Sequence, residues 1–157
     1  MKTKIIFLDI DGVLNSEQSC IYYNRRSNEG KSHTLECEFC PINMSNLNYI
    51  MENVSNTEIV ISSTWRAFHK IAELQDILTK NGFLFADTII GATPRLNVDR
   101  GLEIQSWIDA YGASEIEKFV IIDDNDDMMH LKDSLVQTDV AIGLTIKDAD
   151  LIIKELK

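Results

Sequence analysis

Asp9 and Asp11 close the first apolar run of the chain, in Lys4-Ile-Ile-Phe-Leu-Asp-Ile-Asp-Gly-Val-Leu-Asn15. Residues i and i+2 of an extended strand share a face, so both carboxylates point together from its tip. Gly12 then lets the chain turn away tightly. Like charges repel and desolvation is costly, so a buried strand gains nothing structural from such a pair. A site that uses one carboxylate as nucleophile and the other as proton shuttle accounts for it.

A second acidic cluster, Val120-Ile-Ile-Asp-Asp-Asn-Asp-Asp-Met128, also follows an apolar run. Gathered at one sheet edge, these carboxylates cannot all stay ionised without a cation. Clustered carboxylate oxygens suit a hard ion, Mg²⁺ above all, with Asp9, Asp11, Asp123 and Asp124 as candidate ligands and Asp126 and Asp127 nearby. Such an ion also neutralises a phosphate oxygen, so that an anionic nucleophile can approach an anionic substrate. Ile59-Val-Ile-Ser-Ser-Thr-Trp-Arg66 places hydroxyls and backbone N–H groups at a strand-to-helix turn, a cradle for phosphate oxygens. Ser62 and Ser63 are the candidate phosphate contacts, and Arg66 could add a guanidinium clamp. A further cation to offset charge in the transition state comes from Arg95 or Arg100, of which Arg100 opens the helix leading to the second acidic cluster.

The elements that must position these groups alternate. Strands are expected at Lys4–Asp9, Glu58–Ser62, within Phe83–Ile90, at Phe119–Ile122 and at Val140–Ile142. Helices are expected at Pro41–Val54, Phe68–Asn81, Gly101–Tyr111, Asp126–Ser134 (a short one) and Asp148–Leu156, from apolar residues at helical spacing and from Gly82 and Gly112 as stop signals. Apolar strands alternating with amphipathic helices imply an α/β fold, a doubly wound parallel sheet covered on both faces. Ligands of such sheets bind at the carboxyl ends of the strands, where the polar clusters fall. The polar segment 15–40 lacks clear periodicity and is long for a connection, so it reads as a small lid inserted after the first strand of a single domain spanning 1–157.

Bulk properties narrow the function. A chain of 157 residues with 45% hydrophobic and 25% charged residues is ordinary for a soluble globular domain. No apolar run approaches the roughly 20 residues needed to span a bilayer. A net charge of −10 disfavours broad electrostatic binding of nucleic acid. Three cysteines and no secretion signal point to reduced thiols in a cytoplasmic protein. Cys37-Glu-Phe-Cys40, with His33 and Cys20, is a rival reading as a small zinc site. His69 and His130 read as surface or capping residues, and Trp107 as core. Trp65 reads as core in the same way, with stacking on a base the lesser alternative because it follows the phosphate loop. Tyr22, Tyr23, Arg25 and Arg26 form an aromatic-basic patch in the lid, a weak hint of nucleotide recognition.

Taken in order, Asp9-Ile-Asp11-Gly12-Val13, a strand ending in Ser62, then Arg100, then Asp123-Asp124 resemble the four motifs of the haloacid dehalogenase-like (HAD) phosphohydrolases. The resemblance runs from about Ile5 to Leu144. Asp-Gly-Val-Leu-Asn15, Ser-Ser-Thr-Trp-Arg66 and Arg100-Gly-x-Glu-Ile look most like small HAD domains tied to nucleic-acid repair, including the phosphatase part of polynucleotide kinase-phosphatases. It implies a Rossmann-like sheet and a Mg²⁺-dependent phosphatase. Asp9 would attack phosphorus and form an aspartyl-phosphate, and Asp11 would protonate the leaving oxygen and then activate water. Mg²⁺ would be held by the Asp9 carboxylate, the Asp11 carbonyl and Asp124, with Asp123 beside it, and Ser62 would bind the transferring phosphoryl group. Arg100 stands where many members carry lysine. A terminal phosphate on DNA or RNA is the favoured substrate. A small phosphometabolite or nucleoside monophosphate is the rival, and a non-catalytic binding domain the alternative of another class.

Overall fold

The computed structural model describes residues 2–27 and 39–157. Apolar runs become five parallel strands: β1 (Thr3–Leu8), β2 (Thr57–Ile61), β3 (Ile89–Ala92), β4 (Ile116–Asp123) and β5 (Leu135–Gln137), in the spatial order β3-β2-β1-β4-β5. The helices are α1 (Glu17–Ser27), α2 (Pro41–Asn53), α3 (Ile71–Lys80), α4 (Arg100–Tyr111) and α5 (Ile146–Leu156). This is the doubly wound α/β sheet that the alternation of elements predicts.

Side-chain parity divides the core into two layers. Ile6 and Leu8 of β1, Ile59 and Ile61 of β2, and Val120 and Ile122 of β4 pack with α2, α3 and α5. The intervening Ile5, Phe7, Val60 and Ile121 pack with Ile104 and Ile108 of α4. Both faces are therefore buried, which is why the strands read as near-continuous apolar runs rather than alternating ones. The chain winds outward from β1 to β3, then returns through α4 to β4, so the topological switch lies between β1 and β4.

Three expectations need correction. The last strand is Leu135–Gln137, not Val140–Ile142: Ile121 pairs with Leu135 and Ile122 with Val136. Residues 139–143 form a tight turn instead, in which the Ile142 and Gly143 amides both donate to the Asp139 carbonyl. Segment 15–40, whose lack of clear periodicity gives no helix, contains α1. Its start is held by a reciprocal pair in which the Ser16 amide donates to Ser19 Oγ and the Ser19 amide to Ser16 Oγ, a capping box with serine in place of the usual Glu or Gln. Residues 28–38, including His33 and Cys37, lie outside the described residues. Finally, α3 begins at Ile71 rather than Phe68, because Thr64–Ala67 forms a separate 3-10 turn. Smaller shifts affect β3, which starts at Ile89 after a 3-10 turn at Ala86–Thr88, and the short helix expected at Asp126–Ser134, which is a 3-10 turn over Met129–Ser134.

Candidate active site

Strand register builds the site. Leu8 lies opposite Ile61 and Ile122, and Ile61 opposite Ala92. The next residue on each strand is therefore Thr93, Ser62, Asp9 and Asp123, side by side along the carboxyl edge. The ladder continues through this row: the Asp9 amide donates to the Ile122 carbonyl, Ser62 to Leu8 and Thr93 to Ile61, each at 2.9 Å. The row shares the parity of Phe7, Val60 and Ile121, the layer that faces α4. Arg100, the first residue of α4, accordingly meets it and bridges two carboxylates, at 3.1 Å from Asp9 Oδ1 and 2.8 Å from Asp123 Oδ2.

Two glycines permit the close approach. Gly12 sits at φ +75°, and a Cβ there would fall 2.7 Å from the Asp124 carboxyl carbon. Gly101 lets the start of α4 press on the loop after β4, where a Cβ would collide with the Met128 carbonyl at 2.1 Å. The Gly101 amide donates to the Asp127 carbonyl and the Arg100 amide to the Asp127 carboxylate. Asp127 thus caps α4, and Asp126 pairs with Lys132 at the surface.

Asp9, Asp123 and Asp124 present carboxylate oxygens that all lie within 4.8 Å of one another. Burial pushes the Asp9 carboxyl above the usual carboxylate range and the Asp124 charge adds to this, against the opposing pull of Arg100, the Ile10 amide and the Ser63 hydroxyl. Burial likewise pushes Asp123 up to about 7, reinforced by Asp9 and resisted by Arg100 and the Asn125 amide. One guanidinium does not compensate this concentration of charge. The donor set is hard oxygen throughout and undercompensated, which fits Mg²⁺.

Asp11 stands apart from this trio and is exposed. Its two oxygens each accept one hydrogen bond, from Asn15 Nδ2 at 2.8 Å and from Trp65 Nε1 at 3.0 Å. The Gly12 amide in turn donates to Asn15 Oδ1. A family model described as the HAD domain in Swiss Army Knife RNA repair proteins matches residues 5–149. The chain belongs to this family. No curated protein and no solved structure matches it.

Within this HAD domain the sequence-predicted residues separate by surroundings. Asp9, Ser62, Arg100, Asp123 and Asp124 converge on the β1/β4 switch point. Ser62 Oγ and Thr93 Oγ1 are buried with no hydrogen-bond partner, a costly state for hydroxyls unless a ligand completes them. Ser63 holds Asp9 with its hydroxyl and also accepts from the Trp65 amide, as a cap would. Arg66 is turned into the framework. Its guanidinium donates to the carbonyls of Ser62, Ser63, Thr93 and Pro94 and pairs with the buried Glu103. These acceptors occupy the group that the sequence offers as a phosphate clamp, and make it a brace between β2, β3 and α4. Arg95 is exposed on the loop after β3. Motif spacing does not reveal Thr93, nor that Asn15 and Trp65 hold Asp11.

The other candidates lie elsewhere. Cys20 on α1 is disulfide-bonded, against the expectation of reduced thiols throughout, and Cys40 is a free thiol. Among the described residues, the acidic trio is the one cluster with metal-ligand spacing, and no helix is long and apolar enough to cross a membrane. His130 contacts Gln105, and Trp107 packs on Phe7 and Tyr111. Tyr22 is exposed on α1, and the side chains of Tyr23, Arg25 and Arg26 lie outside the described part.

The raised carboxyls carry a stability consequence. Because Asp9 and Asp123 titrate higher in the folded chain than in the unfolded one, the folded state binds more protons between about pH 4 and 7. The metal-free protein should therefore lose stability as pH rises through that window. Mg²⁺ should restore it, more at pH 8 than at pH 5. Thermal melts in chelator and in Mg²⁺ at several pH values check this, and a Mg²⁺ shift that is absent at pH 8 would contradict it.

Proposed function

We propose that this chain is a Mg²⁺-dependent phosphomonoesterase that works through an aspartyl-phosphate and acts on a terminal phosphate of RNA or DNA. The observation that carries the reading is the aligned row Ser62–Asp9–Asp123, with Arg100 across the two carboxylates and Asp124 completing a hard-oxygen trio. The HAD family match supports the hydrolytic chemistry, and its RNA-repair description supports the substrate class.

Asp9, Asp123 and Asp124 are the residues that would hold Mg²⁺, with the Asp11 carbonyl as the further ligand the family resemblance implies. Bound there, the ion supplies Lewis-acid neutralisation of phosphate charge. In the first step an Asp9 oxygen bonds to phosphorus, the bond from phosphorus to the leaving oxygen breaks, and Asp11 gives that oxygen a proton. In the second, Asp11 takes a proton from water, the water oxygen bonds to phosphorus, and inorganic phosphate leaves Asp9. Ser62 donates to a phosphoryl oxygen through its unpartnered hydroxyl, and Arg100 offsets the charge that accumulates. Arg66 keeps the Ser62–Ser63 turn in place. The described part of the expected lid, residues 15–27, keeps that role in this reading, since α1 starts just after Asn15, which orients Asp11.

Trp65 is a positioning residue for Asp11. Trp65→Phe removes the N–H donor and keeps an aromatic ring, so kcat should fall about tenfold, as expected for one hydrogen bond to a charged group. KM and the affinity for inorganic phosphate should change little. Steady-state kinetics with phosphate inhibition check it, and an unchanged kcat would remove Trp65 from the mechanism.

A panel of 3′-phosphorylated oligonucleotides, 5′-phosphorylated oligonucleotides and mononucleotides tests the substrate. Preference for an oligonucleotide end is the expected result. The net charge of −10 favours the second reading, a small phosphometabolite or nucleoside monophosphate, which indifference to the oligonucleotides would establish. Failure to hydrolyse p-nitrophenyl phosphate at any pH would revive a non-catalytic binding domain.

A further inference from the structure

A cleft of about 420 Å³ opens beside Asp11, lined by Thr64, Trp65, Phe68 and His69. Trp65 is already committed: its N–H is bound to Asp11, and its ring contacts those of Phe39, at 5.5 Å, and His69, at 5.6 Å. Phe68 is the uncommitted ring. It is 81% exposed, the most exposed large hydrophobic residue described. Its backbone is held in place, because the Phe68 and His69 amides both donate to the Trp65 carbonyl and Arg66 ties the same turn to four carbonyls and Glu103. An exposed apolar ring carried on a braced turn is a ready stacking surface, since the backbone beneath it need not be ordered when a flat partner lands on it.

The location names the partner. If Asp11 protonates the leaving oxygen, the leaving group lies on the Asp11 side of phosphorus, over this cleft. We infer that Phe68 is a specificity-determining residue that stacks on the base of the nucleoside bearing the phosphate, so that the preferred leaving group is a nucleoside rather than an aliphatic alcohol. This deepens the phosphatase reading above and rests on it. It also moves the stacking role from Trp65 to its neighbour three residues on.

The test compares wild type, Phe68→Ala and Phe68→Trp on two substrates in Mg²⁺: a terminally phosphorylated dinucleotide and glycerol phosphate. Phe68 is exposed, so truncation spares the core. Phe68→Ala should lower the ratio of kcat/KM for the dinucleotide over that for glycerol phosphate about tenfold, within the range of one base–aromatic stack. Phe68→Trp should keep the ratio. A ratio that Phe68→Ala leaves within about twofold of wild type would overturn the inference. If wild type turns over neither substrate, the phosphatase reading fails separately. Calorimetric binding of the unphosphorylated dinucleotide then decides on Phe68: weaker binding to the Ala variant supports the stacking role, and equal binding overturns it.

Discussion

Asp9→Asn should abolish turnover, by about 10⁴-fold or more, while leaving the protein folded. The amide occupies the same volume and keeps one oxygen, but it is no nucleophile toward phosphorus. The fold should tolerate the change because ionised Asp9 is a liability where it sits. It is 5% exposed, and burial and Asp124 both oppose its charge. Arg100 retains Asp123, at 2.8 Å, after the substitution. A melting temperature close to wild type together with lost activity is the expected pair of results. Full Mg²⁺-dependent activity in the variant would sink the assignment of the nucleophile.

The second large effect belongs to Arg100. Arg100→Ala leaves Asp9 and Asp123 facing each other without a counter-charge. Breaking a buried ion pair from one side costs about 3–5 kcal/mol. The loss should be larger at pH 8 than at pH 5, because Asp123 is pushed up to about 7 and takes a proton at the lower pH. Turnover should fall about 10²- to 10³-fold, as when a donor to developing transition-state charge is removed. Arg95 offers the comparison. It is exposed, so Arg95→Ala should change stability by no more than about 0.5 kcal/mol and leave turnover near wild type. Melts at the two pH values and kinetics of both variants check this. The reverse order of effects would hand the cationic role to Arg95.

These expectations reflect what is and is not written locally in the chain. Asp9, Ser62 and Asp123 were readable because each is the first polar residue after an apolar run, and parallel register then brings the three ends level. Arg100 is legible because it immediately precedes the helix that the apolar spacing of Leu102, Ile104, Trp107, Ile108 and Tyr111 predicts. The contacts of Asp11 are not. Trp65 reaches it across 54 positions, and no periodicity encodes such a pair. Arg66 shows the converse problem. Any arginine after a phosphate loop looks like a clamp, and only the surrounding carbonyls and Glu103 decide otherwise. The last strand is not legible locally, because Val140-Ala-Ile142 is the more apolar triplet, whereas Leu135–Gln137 is three residues long and is specified by its pairing with β4. The start of α1 escaped because serine stands at both ends of its capping box.

Covalent trapping tests the central claim most directly. The wild-type protein is mixed with a terminally ³²P-labelled oligonucleotide in Mg²⁺, quenched in acid and separated from substrate. The account predicts label on the protein that survives acid, is released by hydroxylamine as an acyl phosphate should be, and is absent from Asp9→Asn. Turnover with no label on the protein, or label that persists in Asp9→Asn, would contradict it.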